Sequence, residues 1–357
     1  MKELRPGEPT PWFFARSVLN PNYNFSSVAG RYVLLGFAPS DPERRRRMFA
    51  VMQANVDLLR DNHLACFTVL NDEETFARAR DRNGVRWFFD PDGEIARLYG
   101  ALDEAGAQRA IWVAIDPSLR ILFTSPVEES EQVFARLRAL PPPDLHAGVP
   151  LHAPVMIVPR IFDPELCRRL IADYETQGGK PSGVMREQDG KTVGVLDNFK
   201  KRYDADVMDE ALRVEVRTLI GRRLTPELLK AYRYRATRVE RYLVARYDAE
   251  DGGYFRPHRD NLTSATAHRQ FAVSINLNAE DFEGGDLRFP EYGMRTYRPP
   301  TGGAVVFSCS LLHEALPVTK GARYAFLPFL YDEAGETLRL KNLHLLVPSE
   351  PAPAEAA

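Results

Sequence analysis

The run Leu140-Pro-Pro-Pro-Asp144 constrains the architecture more than any other feature. Three successive prolines fix φ and remove three backbone donors, so neither a helix nor a central strand continues through them. His146 to Pro154 adds further loop-formers. Residues 141–154 are therefore expected to be an extended inter-domain linker. They separate a unit at 1–140 from one at 155–347, both within the usual domain range. The final stretch, 348–357, is small and proline-rich and is expected to be disordered. No internal repeat at solenoid periods is visible.

The two units have different patterns. In the first, Tyr32-Val-Leu-Leu-Gly-Phe37 is a continuous apolar run, as a buried parallel strand requires. Ser40-Asp41-Pro42 predicts a capped helix running to about Asp61. A strand is predicted from Leu64 to Val69, a helix capped by Asn71 to Arg80, and a strand from Val85 to Phe89. Residues 109–115 and 120–124 suggest a hairpin, and Glu128 to Ala139 a closing helix. This alternation indicates an α/β layer structure. The second unit opens with an apolar stretch, Val155 to Phe162, then a helix from Asp163 to about Glu175 and a second helical region covering Met208 to Tyr234. Strands are then predicted at 239–247, 271–278, 286–289, 303–308 and 323–331. That order suggests a jelly roll or sandwich with helices on one side.

Lys+Arg number 47 against 49 Asp+Glu, a net charge of -2, so the chain as a whole has no electrostatic reason to seek nucleic acid or an anionic membrane. No apolar run approaches the roughly 20 residues of a membrane span. The opening MKELRPGEPTPWFF lacks the apolar stretch of a signal peptide. Cys66, Cys167 and Cys309 show no paired spacing, which argues against a disulfide framework or zinc knuckle and fits a reducing, cytoplasmic setting.

The chemistry concentrates in Tyr247-Asp-Ala-Glu-Asp-Gly-Gly-Tyr-Phe-Arg-Pro-His258-Arg-Asp260. Residues two apart on a strand share a face, so His258 and Asp260 are expected to present an imidazole and a carboxylate together. His313 follows the apolar run Ala304 to Ser308. Two histidines and a carboxylate suit a non-haem Fe(II) site and leave three coordination positions open. Arg323 lies ten residues further on, a side chain that grips a carboxylate through two parallel hydrogen bonds.

These residues carry a resemblance. His258-Arg-Asp260, Phe271 to Asn278, Glu283-Gly-Gly-Asp-Leu287 and His313-Glu-Ala-Leu-Pro-Val followed by Arg323-Tyr-Ala stand in the order found in prolyl-4-hydroxylase-type 2-oxoglutarate- and Fe(II)-dependent oxygenases. Residues from about 155 to 332 resemble that family. The resemblance implies a double-stranded β-helix, with His258, Asp260 and His313 as iron ligands. Arg323 would bind the distal carboxylate of 2-oxoglutarate, and Tyr247 would hydrogen-bond the cosubstrate. It implies hydroxylation of a C–H bond in a peptidyl residue, amino acid or small metabolite, consuming O₂ and yielding succinate and CO₂. Ascorbate is a candidate reductant.

Ile275 stands where some of the family carry a second cosubstrate-holding tyrosine, leaving the other partner of that carboxylate open. Asp260 argues against a halogenase, which needs a small residue there. Arg241, Arg246, Arg256, Arg259 and Arg269 surround the motif, either as contacts for an anionic substrate or as a solvated rim. His268 reads as a loop residue. His63, His146, His152 and His344 read as structural or surface residues. Homo-oligomerisation is left open.

Residues 5–138 resemble thioredoxin-like peroxiredoxins of the alkyl hydroperoxide reductase type. The matching pieces are Gly7-Glu-Pro-Thr-Pro-Trp-Phe, Gly30 to Phe37, Asp90-Pro-Asp-Gly through Gly100, and Arg109 to Pro117. A peroxidase needs a low-pKa thiolate at the start of the helix after the first core strand. Pro39 to Arg47 contains no cysteine, and Cys66 reads as apolar filler in the next strand. Arg109 matches an arginine that assists the family's thiolate, but here no thiolate is present. The unit is expected to be a redox-inactive scaffold for substrate recognition, dimerisation or partner carriage. The competing readings are a non-catalytic binding protein and a thiol peroxidase fused to an oxygenase.

Overall fold

The computed structural model describes residues 4–347, and the expected tail at 348–357 lies outside the described residues. The chain forms two compact units. The first runs to Ala153 and takes in Pro290–Met294; the second comprises the remainder from Pro154. A 3₁₀ turn, Pro143–Leu145, interrupts the proline-rich stretch. No helix among the described residues is long and apolar enough to cross a membrane.

The first unit is α/β and thioredoxin-like. Its seven-stranded sheet places Leu64–Leu70 between Tyr32–Phe37 and Val85–Phe89, all parallel. The hairpin Ile111–Ile115 with Ile121–Pro126 adds antiparallel to the Tyr32–Phe37 edge. Every residue of Tyr32–Phe37 and Leu64–Leu70 is buried, which explains their unbroken apolar runs. Trp112 fills one face, its Nε1 donating to Ser130 Oγ at 2.8 Å. A Cβ on Gly36 would lie 2.3 Å from that indole, so only glycine fits in mid-strand.

The helix expected to reach Asp61 spans Pro42–Ala54 and gives way to a short 3₁₀ turn, Val56–Leu58. Asp41 alone caps it, accepting from Arg44 N at 2.8 Å; the Ser40 hydroxyl instead donates to Gln108. The next helix is likewise capped by Asp72 rather than Asn71.

The second unit is a double-stranded β-helix with helices on one side. The nine-stranded sheet runs Arg238–Glu240, Phe329–Tyr331, Phe271–Asn276, Ala322–Phe326, Leu243–Asp248, Tyr203–Asp206 and Lys180–Pro181, with Ala304–Ser308 and Met156–Val158 attached through Phe271–Asn276. A five-stranded sheet contains Lys200–Lys201, Tyr254–His258, His313–Ala315, Leu287–Arg288 and Thr296–Tyr297. All of these pairings are antiparallel. Helices Pro164–Gln177, Glu210–Leu219 and Thr225–Tyr232 bury Leu170, Val216 and Leu228 in a core shared with Val273, Ile275 and Phe326 of the large sheet.

Two predicted strands are each two strands. The stretch 239–247 breaks at Arg241 and Tyr242, where Arg241 takes a left-handed φ of 68°. The stretch 323–331 breaks at Leu327 and Pro328, because proline cannot donate to a ladder. The hairpin Val184–Gln188 with Lys191–Val195 and the helix Glu333–Asn342 are additional elements. Their periodicity is interrupted by charges and gave no strong signal.

Candidate metal centre

His258 ends the strand Tyr254–His258, and His313 opens His313–Ala315 directly opposite it. The register between them is irregular from Phe255 to His258. Pro257, which cannot donate to the ladder, lies within this irregular stretch. Asp260 lies beyond the strand end, not on the strand as the two-residue spacing suggested. Its placement comes from a loop pinned by Asp260 N donating to Cys309 O at 2.9 Å. The carboxylate nevertheless meets both rings: Oδ1 is 3.6 Å from His258 Nε2 and Oδ2 is 3.3 Å from His313 Nε2.

Each imidazole is oriented by a backbone carbonyl. His258 Nδ1 lies 2.8 Å from Arg256 O, and His313 Nδ1 lies 3.0 Å from Leu311 O. A carbonyl only accepts, so each Nδ1 carries a hydrogen and each ring turns its Nε2 toward Asp260. Burial, reinforced by His313, holds His258 well below the usual histidine range and keeps it neutral. Phe255 stacks on His258 with ring centroids 3.4 Å apart, and Phe307 packs against His313 at 4.6 Å. The three donors lie within 4.8 Å of one another. Two ligands each about 2.1 Å from one ion and at right angles would sit roughly 3 Å apart, so this donor set fits a divalent cation.

Arg323 and Tyr247 form a cross-strand pair. The guanidinium is buried and bonds only neutral acceptors: Asn276 Oδ1 at 3.2 Å from Nε, Gly285 O at 2.8 Å from Nη1 and Ser274 Oγ at 2.8 Å from Nη2. One N–H remains on each terminal nitrogen, the fork that receives a carboxylate. Among the described residues no carboxylate pairs with it. Burial lowers its pKa, while Tyr247 and Asp286 oppose that shift.

Ile275 lies on the other face of the strand Phe271–Asn276, in the apolar core. The neighbours that reach Arg323 are therefore Ser274 and Asn276, one residue to either side, as strand alternation requires. The Tyr247 hydroxyl accepts from Arg202 Nη1 at 3.4 Å, and Arg202 Nη2 in turn donates to Asp204 at 2.6 Å. Burial works against the Arg202 charge, but Asp204 outweighs it and the pKa rises. Arg202 had no motif to mark it, and Ser274 lies within the Phe271 to Asn278 motif, which gave it no role.

The arginines around the motif take different roles. Arg246 pairs with Asp248, and Arg256 is exposed over the Tyr254 ring. Arg259 donates to Ser310 O. Arg269 grips Glu240 through Nη2 at 2.6 Å and Nε at 3.2 Å. His268, expected as an ordinary loop residue, is buried with Nε2 2.7 Å from the same Glu240. Arg241 lines the cavity on which His258, Asp260, His313, Tyr247 and Arg323 open.

In the first unit, the helix start where a peroxidase would need its thiolate offers Asp41 and Ser40. Cys66 is fully buried, its sulfur 3.7 Å from Met52 Sδ, and burial pushes its pKa up to about 12.

Residues 242–331 match the sequence model of the 2OG-Fe(II) oxygenase superfamily, so the second unit carries a domain of that superfamily. Over 224 residues the chain is 28% identical to the multifunctional procollagen lysine hydroxylase and glycosyltransferase LH3 of Rattus norvegicus, matching 60% of this chain and 28% of that protein. The chain spans less than a third of the length of the curated relatives it matches. Among solved structures, a prolyl hydroxylase of Trichoplax adhaerens in complex with a hypoxia inducible factor oxygen degradation domain peptide is similar at 17% identity and TM-score 0.41, covering 55% of this chain and 89% of that one. Over 38% of this chain, AhpC of Enterococcus faecalis is similar at 18% identity and TM-score 0.34, with 92% of its own length covered.

Proposed function

We propose that the second unit is a 2-oxoglutarate- and O₂-dependent hydroxylase whose iron is held by His258, Asp260 and His313. The observation that carries this reading is the pairing of two features on one cavity. One is a three-donor cluster whose histidine tautomers are fixed by carbonyls. The other is a buried guanidinium with two free N–H groups and no carboxylate of its own. An unpaired buried cation is costly, and a ligand carboxylate relieves that cost.

In this reading Arg323 receives the distal carboxylate of 2-oxoglutarate, while Ser274 and Asn276 fix the guanidinium plane. The Tyr247 hydroxyl, oriented by Arg202, supplies a polar contact along the cosubstrate. Bound iron with 2-oxoglutarate supplies O₂ activation coupled to oxidative decarboxylation, giving succinate and CO₂ and hydroxylating a nearby C–H bond. Phe255, Phe307 and Leu287 wall the cavity with apolar surface and limit water around the metal. The substrate classes that fit are a peptidyl residue, an amino acid or a small metabolite. The test is Fe(II)-dependent conversion of 2-oxoglutarate to succinate by the full chain. No conversion, with iron shown to be bound, would sink the reading.

We further read the first unit as a redox-inactive scaffold. A buried thiol shifted to about 12 is neither exposed nor ionised enough to meet peroxide. This disfavours the thiol peroxidase alternative.

A further inference from the structure

Arg241 stands in the turn between Arg238–Glu240 and Leu243–Asp248, with a backbone φ of 68°. Left-handed backbone is costly for a side-chain-bearing residue and persists where the surroundings enforce it, often at functional sites. Among the described residues, Arg241 is the sole non-glycine residue with positive φ that lines the cavity. Its guanidinium carbon lies 5.3 Å from the Phe329 ring centroid.

The charge of Arg241 is poorly met. It makes no hydrogen bond among the described residues. Its nearest carboxylate, Asp204, is 3.5 Å away and already bonded by Arg202 at 2.6 Å. The neighbouring Arg269 is fully engaged by Glu240. Burial, with Arg202 beside it, draws the Arg241 pKa down to about 10.

Position separates Arg241 from Arg323. Phe329, beneath Arg241, pairs with Ala272, whereas Arg323 is held by Ser274 and Asn276 further along the same strand. The cavity thus has a cation toward each end of one strand, and 2-oxoglutarate accounts for only one of them. Arg269 also lies over the Phe329 ring, at 4.1 Å, but its fork is taken by Glu240, whereas the planar fork of Arg241 suits a planar carboxylate.

We propose that Arg241 receives a carboxylate of the substrate, making it a specificity-determining residue; this rests on the oxygenase reading above. The substrate is then an acid, with its reacting C–H bond between that carboxylate and the metal.

The test uses the full chain loaded with Mn(II) and 2-oxoglutarate. Thermal melting is followed against free and N-acetylated L-amino acids, each compared with its primary amide, and against inorganic phosphate. At least one acid is expected to raise the melting temperature where its amide does not. Arg241→Gln should raise the half-maximal concentration of that acid at least tenfold, and Arg241→Lys should fall between. Arg241→Gly tolerates the positive φ, so it should melt no lower than the parent and still lose the response. Acid and amide acting alike, no action by either, a stronger response to phosphate, or a response retained in Arg241→Gly would each overturn the inference. Failure of the oxygenase reading shows separately, as absence of succinate formation by the Fe(II)-loaded parent chain.

Discussion

The Arg323 guanidinium carbon sits 5.3 Å from the centre of the Tyr247 ring, its register partner on the neighbouring strand. The ring face eases the burial of the charge without consuming either free N–H, so the fork stays available to a ligand. This predicts a split between two variants. Arg323→Ala removes a buried charged contact worth about 3–5 kcal/mol and should raise the 2-oxoglutarate requirement a hundredfold or more. Tyr247→Phe keeps the ring and loses one hydrogen bond of about 0.5–1.5 kcal/mol, so its requirement should rise roughly 2- to 12-fold. Succinate formation against cosubstrate concentration measures both, and equal effects would remove the carboxylate from Arg323.

His313→Ala should abolish succinate formation and stoichiometric Mn(II) binding. Its circular dichroism should remain that of the parent. The ring packs against Phe307 and Phe289, so its loss also opens a small void, and a cost of about 2–4 kcal/mol in denaturant stability is expected. Retained turnover would refute the ligand assignment.

Glu240 predicts an acid-side dependence of stability. Burial alone would raise its pKa, but the His268 hydrogen bond and Arg269 overcome this and hold it far below the usual carboxylate range. A depressed folded pKa contributes stability that is fully present above the unfolded value, about 4.3 for glutamate, and is lost as pH falls below it. Urea midpoints from pH 7 to pH 3 should therefore fall less steeply in Glu240→Gln than in the parent. Glu240→Ala, which leaves Arg269 buried and unpaired, should cost about 3–5 kcal/mol at pH 7. An unchanged slope in Glu240→Gln would show that another group governs the acid limb.

Cys66→Ser should alter stability rather than redox behaviour. A hydroxyl placed beside Met52 in an apolar pocket is expected to lower the unfolding free energy by about 1–3 kcal/mol, read from denaturant melts. The parent chain should consume hydrogen peroxide no faster than this variant. Thiol-dependent peroxide loss that disappears with Cys66 would reinstate the peroxidase reading.

What sequence made legible, and what it hid, follows from the range of each signal. The apolar runs at Tyr32–Phe37 and Leu64–Leu70 mark strands buried on both faces, and such runs need no tertiary knowledge to read. The convergence of His258, Asp260 and His313 was signalled by spacing and order. The strand argument for Asp260 was wrong in detail, because a hydrogen bond to Cys309 from a distant loop sets its position. Arg202 was invisible, and Ser274 had no assigned role within its motif, because each is defined by a partner on another strand. The break at Arg241 was missed because arginine carries no turn signal, whereas a glycine with the same φ would have announced it. The Glu240–His268–Arg269 cluster joins residues from two segments, and no single stretch of sequence displays it.

The pairing of His258 with His313 has a consequence for assembly order. One side of the donor cluster comes from the end of Tyr254–His258 and the loop after it and the other from the start of His313–Ala315, and Phe271–Asn276 and Ala304–Ser308 must pair in between. Closing that long segment is entropically unfavourable until the intervening strands have zipped together. The cation site therefore cannot pre-exist in a partly folded chain. An ion captured there late would act as a clasp on the finished barrel, slowing its opening more than it speeds its formation.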